Sequence, residues 1–269
     1  MKTTSIWTTR DDRDLAALLT SASQGDLIGA LLAVEGADEA AAERCRLQLT
    51  IWARDAAERP GDRVDALKAV LADEAELSGD TGDYYRVENS LISQVIARRR
   101  GLPITLSALW IEVARQIGAD AEGVGLPGHF IARIDGHLVD PFDKGRRLSP
   151  EGCAAIVARL SNDTLPWDSA WLEPASPATI IERTLRNLLN VYNRQGVAVP
   201  MYRVGRLIAA ICPSPPNRFV HARIAEALGA SRLALDLYTA LIKDHPEADE
   251  SMIAGERLGP LLERTSMLN

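Results

Sequence analysis

The dipeptide Asp135-Gly136 stands between two apolar runs, Phe130 to Ile134 and His137 to Phe142. Asp-Gly in that setting selects a two-residue hairpin turn, because both central residues of such a turn need positive φ and these two tolerate it. A turn of that length also sets the register. Ile134 then opposes His137, and Ile131 opposes Asp140. Side chains alternate between the faces of a strand, so His129 and Asp140 fall on one face, as diagonal neighbours about 7–8 Å apart at the backbone. Long side chains close that gap, which places an imidazole and a carboxylate within reach of each other.

The residues before the hairpin read as two helices in succession. Asn89 fits an N-cap, and Leu91, Ile92, Val95 and Ile96 follow at helical spacing. Arg98, Arg99 and Arg100 crowd the last turn, where cations suit the helix dipole and water can solvate them, and Gly101 fits the C′ position. Pro103 stands where the next helix opens, the N1 position that proline favours. That helix is expected to run to about Ile117 and end at Gly118, with Leu106, Leu109, Trp110, Val113, Ala114 and Ile117 as its apolar stripe. Gly123 to Gly125 then reads as a short extended piece and Pro127-Gly128 as a turn.

The flanks are helical in pattern. Residues 13–72 carry helical periodicity broken at Gly36 and Pro60-Gly61, with Ala42, Cys45, Leu49 and Trp52 on one stripe. Asp73, Glu74, Glu76, Asp80 and Asp83 follow without a base among them and read as a solvated acidic loop. A boundary is expected at Leu172 to Pro177, dividing the chain into 1–175 and 176–269. Thr179 and Glu182 have capping-box spacing, and everything beyond reads as helix. Gly196 and Gly229 are 33 residues apart, as are Pro213 and Pro246, so a helix-turn-helix unit of tetratricopeptide length is expected twice. The match is partial, since the small residue after the second glycine, Ala234, corresponds to Met201 in the first copy. An irregular helical domain is the alternative.

Composition excludes several function classes. The 269 residues hold 30 Lys and Arg against 37 Asp and Glu, a formal charge of −7. That balance speaks against a nucleic-acid surface and against attraction to anionic membranes. No apolar run approaches the ~18 residues of a membrane span, and no h-region of a signal peptide is evident at the N-terminus. Cys45, Cys153 and Cys212 are scattered, and the four histidines have no zinc spacing, so neither a disulfide framework nor a metal site nor any other cofactor is expected. Idle thiols suit a reducing, cytoplasmic setting.

Four blocks recur together: Asp83-Tyr84-Tyr85-Arg86-Val87-Glu88-Asn89-Ser90; Arg99-Arg100-Gly101-Leu102-Pro103-Ile104-Thr105-Leu106-Ser107; Gly123-Val124-Gly125-Leu126-Pro127-Gly128-His129-Phe130; and Asp140-Pro141-Phe142. In this order the chain closely resembles the SirB family of bacterial transglutaminase-like proteins, over roughly residues 40–165, and the helical tail also fits that family. The resemblance implies an α+β fold: a papain-like, transglutaminase-type core with a helical N-terminal region and an all-helical, tetratricopeptide-like C-terminal part. It also implies a Cys-His-Asp triad, with His129 and Asp140 in the places of the His and the Asp. The thiol's place, at the start of the core helix, falls on Pro103, which has no nucleophile.

Ser107 is the substitute to weigh. It stands one turn further on, about 6 Å along the axis and near the same face, against the plainer reading of a residue packed inside the helix. Thr105 points about 200° away from residue 103. His129 and Asp140 read three ways: a satisfied pair that pins the hairpin, a ligand-recognition pair, or a catalytic remnant. Glu88, Asn89 and Ser107 are candidate binding residues beside them. Two functions follow. One is a non-catalytic protein that binds a polypeptide or another small partner in a regulatory or adaptor role. The other is an amide hydrolase or acyl transferase that works through Ser107 or an activated water with His129 and Asp140.

Overall fold

The computed structural model describes residues 8–266. The fold is α+β, with twelve α-helices and a five-stranded sheet among the described residues. The chain divides into two compact units. One is Thr20–Thr184; the other joins the described residues up to Leu19 to those from Leu185 onward.

The sheet of the first unit has the spatial order Arg146–Leu148, His137–Asp140, Ile131–Ile134, Ala121–Val124, Pro174–Ala175, and every pairing is antiparallel. The Asp-Gly turn is where the sequence puts it. Asp135 has φ 46° and Gly136 φ 81°, and Ile134 pairs with His137 and Ala132 with Val139. The segment from Leu172 to Pro177, where a boundary is expected, lies within the first unit. Its residues Pro174 and Ala175 add an edge strand, pairing with Val124 and Gly123.

The helix Pro103–Gln116 packs on Ala121–Val124 and Ile131–Ile134. The helices Leu27–Glu35 and Glu39–Ala57 also pack against it. With neighbours on several sides, every residue from Pro103 to Ile111 is buried, so about the first two and a half turns are enclosed all round and only the end of the helix, at Arg115 and Gln116, is exposed. Each large apolar side chain it buries contributes ~1.5–3 kcal/mol. Pro103 occupies N1, as its fixed φ and missing N–H favour. The helix closes at Ile117 and Gly118, the latter with φ 74°.

Between Asp80 and Gly101 several expectations are overturned. Asn89 does not cap the helix Ile92–Arg98; it lies in a 3-10 turn, Val87–Ser90, and the residue at the N-cap is Leu91. Asn89 is fully buried instead, donating through Nδ2 to the carbonyls of Asp83 (2.8 Å) and Tyr84 (3.4 Å) and accepting at Oδ1 from Arg98 (2.8 Å). Glu35 serves the helix start from far away, accepting from the Ser93 N–H at 3.3 Å and from Ser93 Oγ at 3.1 Å. The left-handed residue at the helix end is Arg99, φ 61°, not Gly101, which pairs in a two-residue parallel bridge with Gly79.

Nor are the three arginines a solvated end. Arg98 also reaches Asp80, Arg99 lies 4.8 Å over the Trp52 ring, and Arg100 donates to the Glu76 carbonyl at 2.8 Å. The acidic run is solvated as expected at Asp73, Glu74, Glu76 and Asp83, with exposed pairs from Asp73 to Lys68 at 2.8 Å and from Glu74 to Arg59; the exception is Asp80, which is half-buried on Arg98.

The described residues of the second unit are helical throughout, and the helix that opens its C-terminal part begins in the first unit. From Pro177 the helices are Pro177–Gln195, Ala198–Ile211, Pro215–Ala227, Ser231–Asp244 and Asp249–Ser266. Gly196 and Gly229 follow the first and third of these in the left-handed conformation, φ 68° and 73°, and Cys212–Ser214 and His245–Ala248 separate the pairs. The start signal before Ile180 is Ser176, whose Oγ accepts from the Thr179 N–H at 3.1 Å, so Thr179 is the third residue of the helix and not its cap. Tyr202, Ala222, Ala225, Ala234, Tyr238 and Leu241 fill this unit's core. Arg203 ion-pairs with Asp11 and Asp14, which fastens the first helix, Thr9–Ser23, to Ala198–Ile211.

Candidate functional site

His129 follows the Pro127-Gly128 turn, where Gly128 has φ 71° and the His129 N–H donates to the Leu126 carbonyl at 3.2 Å. Asp140 closes the strand His137–Asp140. The structure brings the two together, with His129 Nε2 and Asp140 Oδ2 3.0 Å apart and the residues 8% and 3% exposed. A carboxylate only accepts, so Nε2 carries the proton that joins the pair, and in the neutral ring Nδ1 presents its lone pair. Among the described residues Nδ1 has no hydrogen-bond partner. Asp140 is held in turn: its Oδ1 accepts from the N–H groups of Phe142 (3.0 Å) and Asp143 (3.4 Å). The Phe142 ring stands edge-on to the imidazole at 5.9 Å.

One residue that no motif singles out sets the other side of His129. Arg183, on the helix Pro177–Gln195, donates from Nη2 to the carbonyls of Leu126 (2.8 Å) and His129 (2.9 Å), so it grips both ends of the turn. Its guanidinium lies 5.2 Å from the Phe130 ring centre. Burial holds its pKa below the usual arginine value, with Tyr84 opposing that shift. Gly125 makes room for it, since a Cβ there would meet Arg183 Nη1 at 2.5 Å. The only local trace of this clamp is that glycine; an arginine 54 residues downstream of the histidine has no spacing rule to reveal it.

These groups face a cavity of about 530 Å³, lined among others by Thr81, Tyr84, Pro103, His129, Asp140, Phe142, Asp143, Arg146, Arg159 and Leu160. Pro103 is thus at the cavity, at the first position of the core helix, and offers it only methylenes.

The other candidates are elsewhere. Ser107 is 0% exposed and sealed between helix and sheet, its Oγ donating to the Phe130 carbonyl at 3.3 Å, and it does not line the cavity. Thr105 Oγ1 is also buried, accepting from the Leu102 N–H and lying 2.8 Å from the Asn89 carbonyl. Glu88 and Asn89 do not line the cavity: Glu88 pairs with Arg86 at 3.2 Å, and Asn89 holds the backbone of the loop that carries Tyr84. Cys45 and Cys153 are buried, and burial pushes both thiols up to about 11, so neither is a thiolate near neutral pH. Among the described residues no group of three His, Cys, Asp or Glu side chains is placed to hold a metal ion, and no helix is long and apolar enough to cross a membrane.

An imidazole oriented by a carboxylate, facing the start of a buried helix across a cleft, is the frame of acyl-transfer chemistry on a thiol. Residues 38–186, more than half of the chain, match the family model of the transglutaminase-like superfamily. The chain belongs to that superfamily. Among this transglutaminase-like protein's relatives are a UPF0162 protein of Xylella fastidiosa, 41% identical over 162 residues (58% of either chain), and a UPF0162 protein of Pseudomonas aeruginosa, 30% identical over 183 residues (66% of this chain and 67% of the relative). The human F-box only protein 21 is 30% identical over 146 residues, which are 50% of this chain but 22% of that protein. The chain spans about half the length of the Xylella relatives it matches, 58% and 49%. No solved structure gives a significant match.

Proposed function

We propose that the transglutaminase-like cleft is a non-catalytic binding site for a polypeptide segment, within a cytoplasmic protein that acts as a regulatory adaptor. The observation that carries the reading is Pro103. At the position that opens the core helix at the cavity, it provides no attacking atom, while His129 and Asp140 keep the geometry of an oriented base. A pair retained without a nucleophile suits recognition: Nδ1 accepts a hydrogen bond, and the Tyr84 and Phe142 rings flank it. The recurrence of the same region as a fraction of a much longer F-box protein favours a module that is joined to other domains to bring a partner to them. The two helix pairs from Pro177 onward, which we read as tetratricopeptide-like, add a second element of the kind that holds extended peptides.

A hydrolase that uses water on His129 Nδ1 is the second reading, favoured by that nitrogen's lack of a partner. It forgoes the covalent step that divides a hard acyl transfer into two easier ones. The test is an assay of amine incorporation and peptide cleavage with the wild type and His129→Ala, beside capture of partners on the immobilised chain. No turnover, together with capture that the cleft-filling variant Thr81→Trp abolishes, is the expected result. Turnover in the wild type that disappears with His129→Ala would replace the adaptor with an enzyme.

A further inference from the structure

The polar groups of the cleft also specify a charge for what enters it. Both of its acids are already engaged. Asp140 accepts from the His129 imidazole and from two backbone N–H groups, and Asp143 pairs with Arg146 Nε at 2.7 Å. Its two arginines are less fully engaged. Arg146 spends one nitrogen on Asp143, and the Arg159 guanidinium has no ion-pair or hydrogen-bond partner among the described residues. The only spare acceptor the imidazole offers is the Nδ1 lone pair. In the lining Arg146 and Arg159 balance Asp140 and Asp143, so in a chain of net charge −7 the cleft is locally neutral, and an acid held here is held by the unengaged guanidinium groups and not by the molecule's overall field.

We propose that the cleft selects an extended polypeptide segment that carries an acidic residue, a specificity that rests on the binding reading above. The acid's carboxylate sits on Arg159, with the free nitrogens of Arg146 in reach of the same mouth, and a backbone N–H of the segment donates to His129 Nδ1. The carboxylate belongs on the arginines, whose charge is fixed and whose planar fork matches it, while a backbone N–H matches the Nδ1 lone pair of a neutral ring. Tyr84 and Phe142, whose ring centres are 6.2 Å apart, flank the bound segment, and a volume of about 530 Å³ is in the range of clefts that enclose side chains.

The experiment is selection of a randomised octapeptide library on the immobilised full chain, read by sequencing, with Arg159→Glu and Thr81→Trp in parallel. Both substitutions are at exposed positions, and circular dichroism checks that both variants keep the fold. An exposed arginine–carboxylate pair supports about three- to fivefold enrichment of Asp and Glu in the wild-type pool. The Arg159→Glu pool should turn toward Lys and Arg, and Thr81→Trp should select nothing. Wild-type peptides without an acidic preference, or an acidic preference unchanged in Arg159→Glu, would overturn the proposed charge specificity while leaving the cleft as a peptide site, provided that Thr81→Trp still abolishes selection. A wild-type pool no different from the input library would overturn both the specificity and the binding reading.

Discussion

Two stretches of the first unit, about equally polar, obey different rules. The hairpin from Ile131 to Asp140 follows its local sequence: an Asp-Gly turn, a fixed register and a side-chain parity that leaves His129 facing Asp140. The stretch from Asp80 to Gly101 does not. There Asn89 and Gly101 each have a good local role, as cap and helix stop, and each does something else, while Arg98 keeps its place in the last helical turn but spends its guanidinium on Asn89 and Asp80. The hairpin is closed by bonds between near neighbours, so local rules see all of it. The other stretch wraps a buried helix start, and its polar groups must find partners wherever the fold has them.

The largest effect expected from breaking this contrast is on the hairpin side. Asp140→Ala removes the partner of His129 and the acceptor for two backbone N–H groups, all near or below a tenth exposed at the two side chains. Loss of one member of such a buried set costs about 3–5 kcal/mol. Urea unfolding of the whole chain measures it, and an unchanged midpoint would mean that the pair contributes nothing to the fold.

Asn89→Ala sharpens the other side. A residue that only capped a helix would cost about 1 kcal/mol when truncated. Asn89 holds two carbonyls and a guanidinium from full burial, so its removal should cost about 2–4 kcal/mol. It should also loosen the loop that brings Tyr84 to the cleft, which hydrogen exchange at residues 83–86 would register. A loss of 1 kcal/mol or less would restore the local reading.

The division explains what the sequence made legible. The core helix with Pro103 at its head, the hairpin, the His129–Asp140 approach and the glycine-punctuated helices of the second unit all rest on signals within a few residues. Arg183 on the His129 loop, Glu35 on Ser93, and Pro174–Ala175 at the sheet edge join residues 50 to 58 positions apart, and no spacing rule spans that distance. Ser107 shows the same limit from another side. Its helical phase near Pro103 was readable, but its burial under Phe130 depends on where the sheet lies.

Glu35 gives a smaller effect with a defined sign. Burial raises its carboxyl from the usual 4.5 to about 7, against the opposing pull of its Ser93 hydrogen bonds. Between those two values the unfolded chain has lost the proton and the folded chain still holds it. The folded state therefore binds more protons, and stability falls as pH rises from about 4.5 through 7. Allowing for the part of the side chain that water reaches, the loss is on the order of 2 kcal/mol. Glu35→Gln should flatten this part of the pH profile. A profile unchanged by the substitution would show that Glu35 ionises in the folded protein as it does in the unfolded one.

The smallest change to the fold carries the most direct test of the site. Pro103→Cys exchanges one N1 residue for another and should cost no more than about 1 kcal/mol, chiefly through greater freedom of the unfolded chain. It places a thiol at the N-terminus of a buried helix, where the dipole favours thiolate, at the cavity that His129 also lines. If Nδ1 is the free base that the Asp140 bond implies, it takes the thiol proton and leaves a thiolate beside an imidazolium. Alkylation by iodoacetamide at pH 6 should then be far faster at residue 103 than at an ordinary cysteine, and it should slow sharply in Pro103→Cys with His129→Ala. The three native cysteines are the internal reference, two of them buried with thiols held near 11. Fast alkylation that survives the loss of His129 would assign the effect to the helix alone. Slow alkylation in both would mean that Nδ1 does not face residue 103, and the view of this cleft as an acyl-transfer frame without its nucleophile would fall.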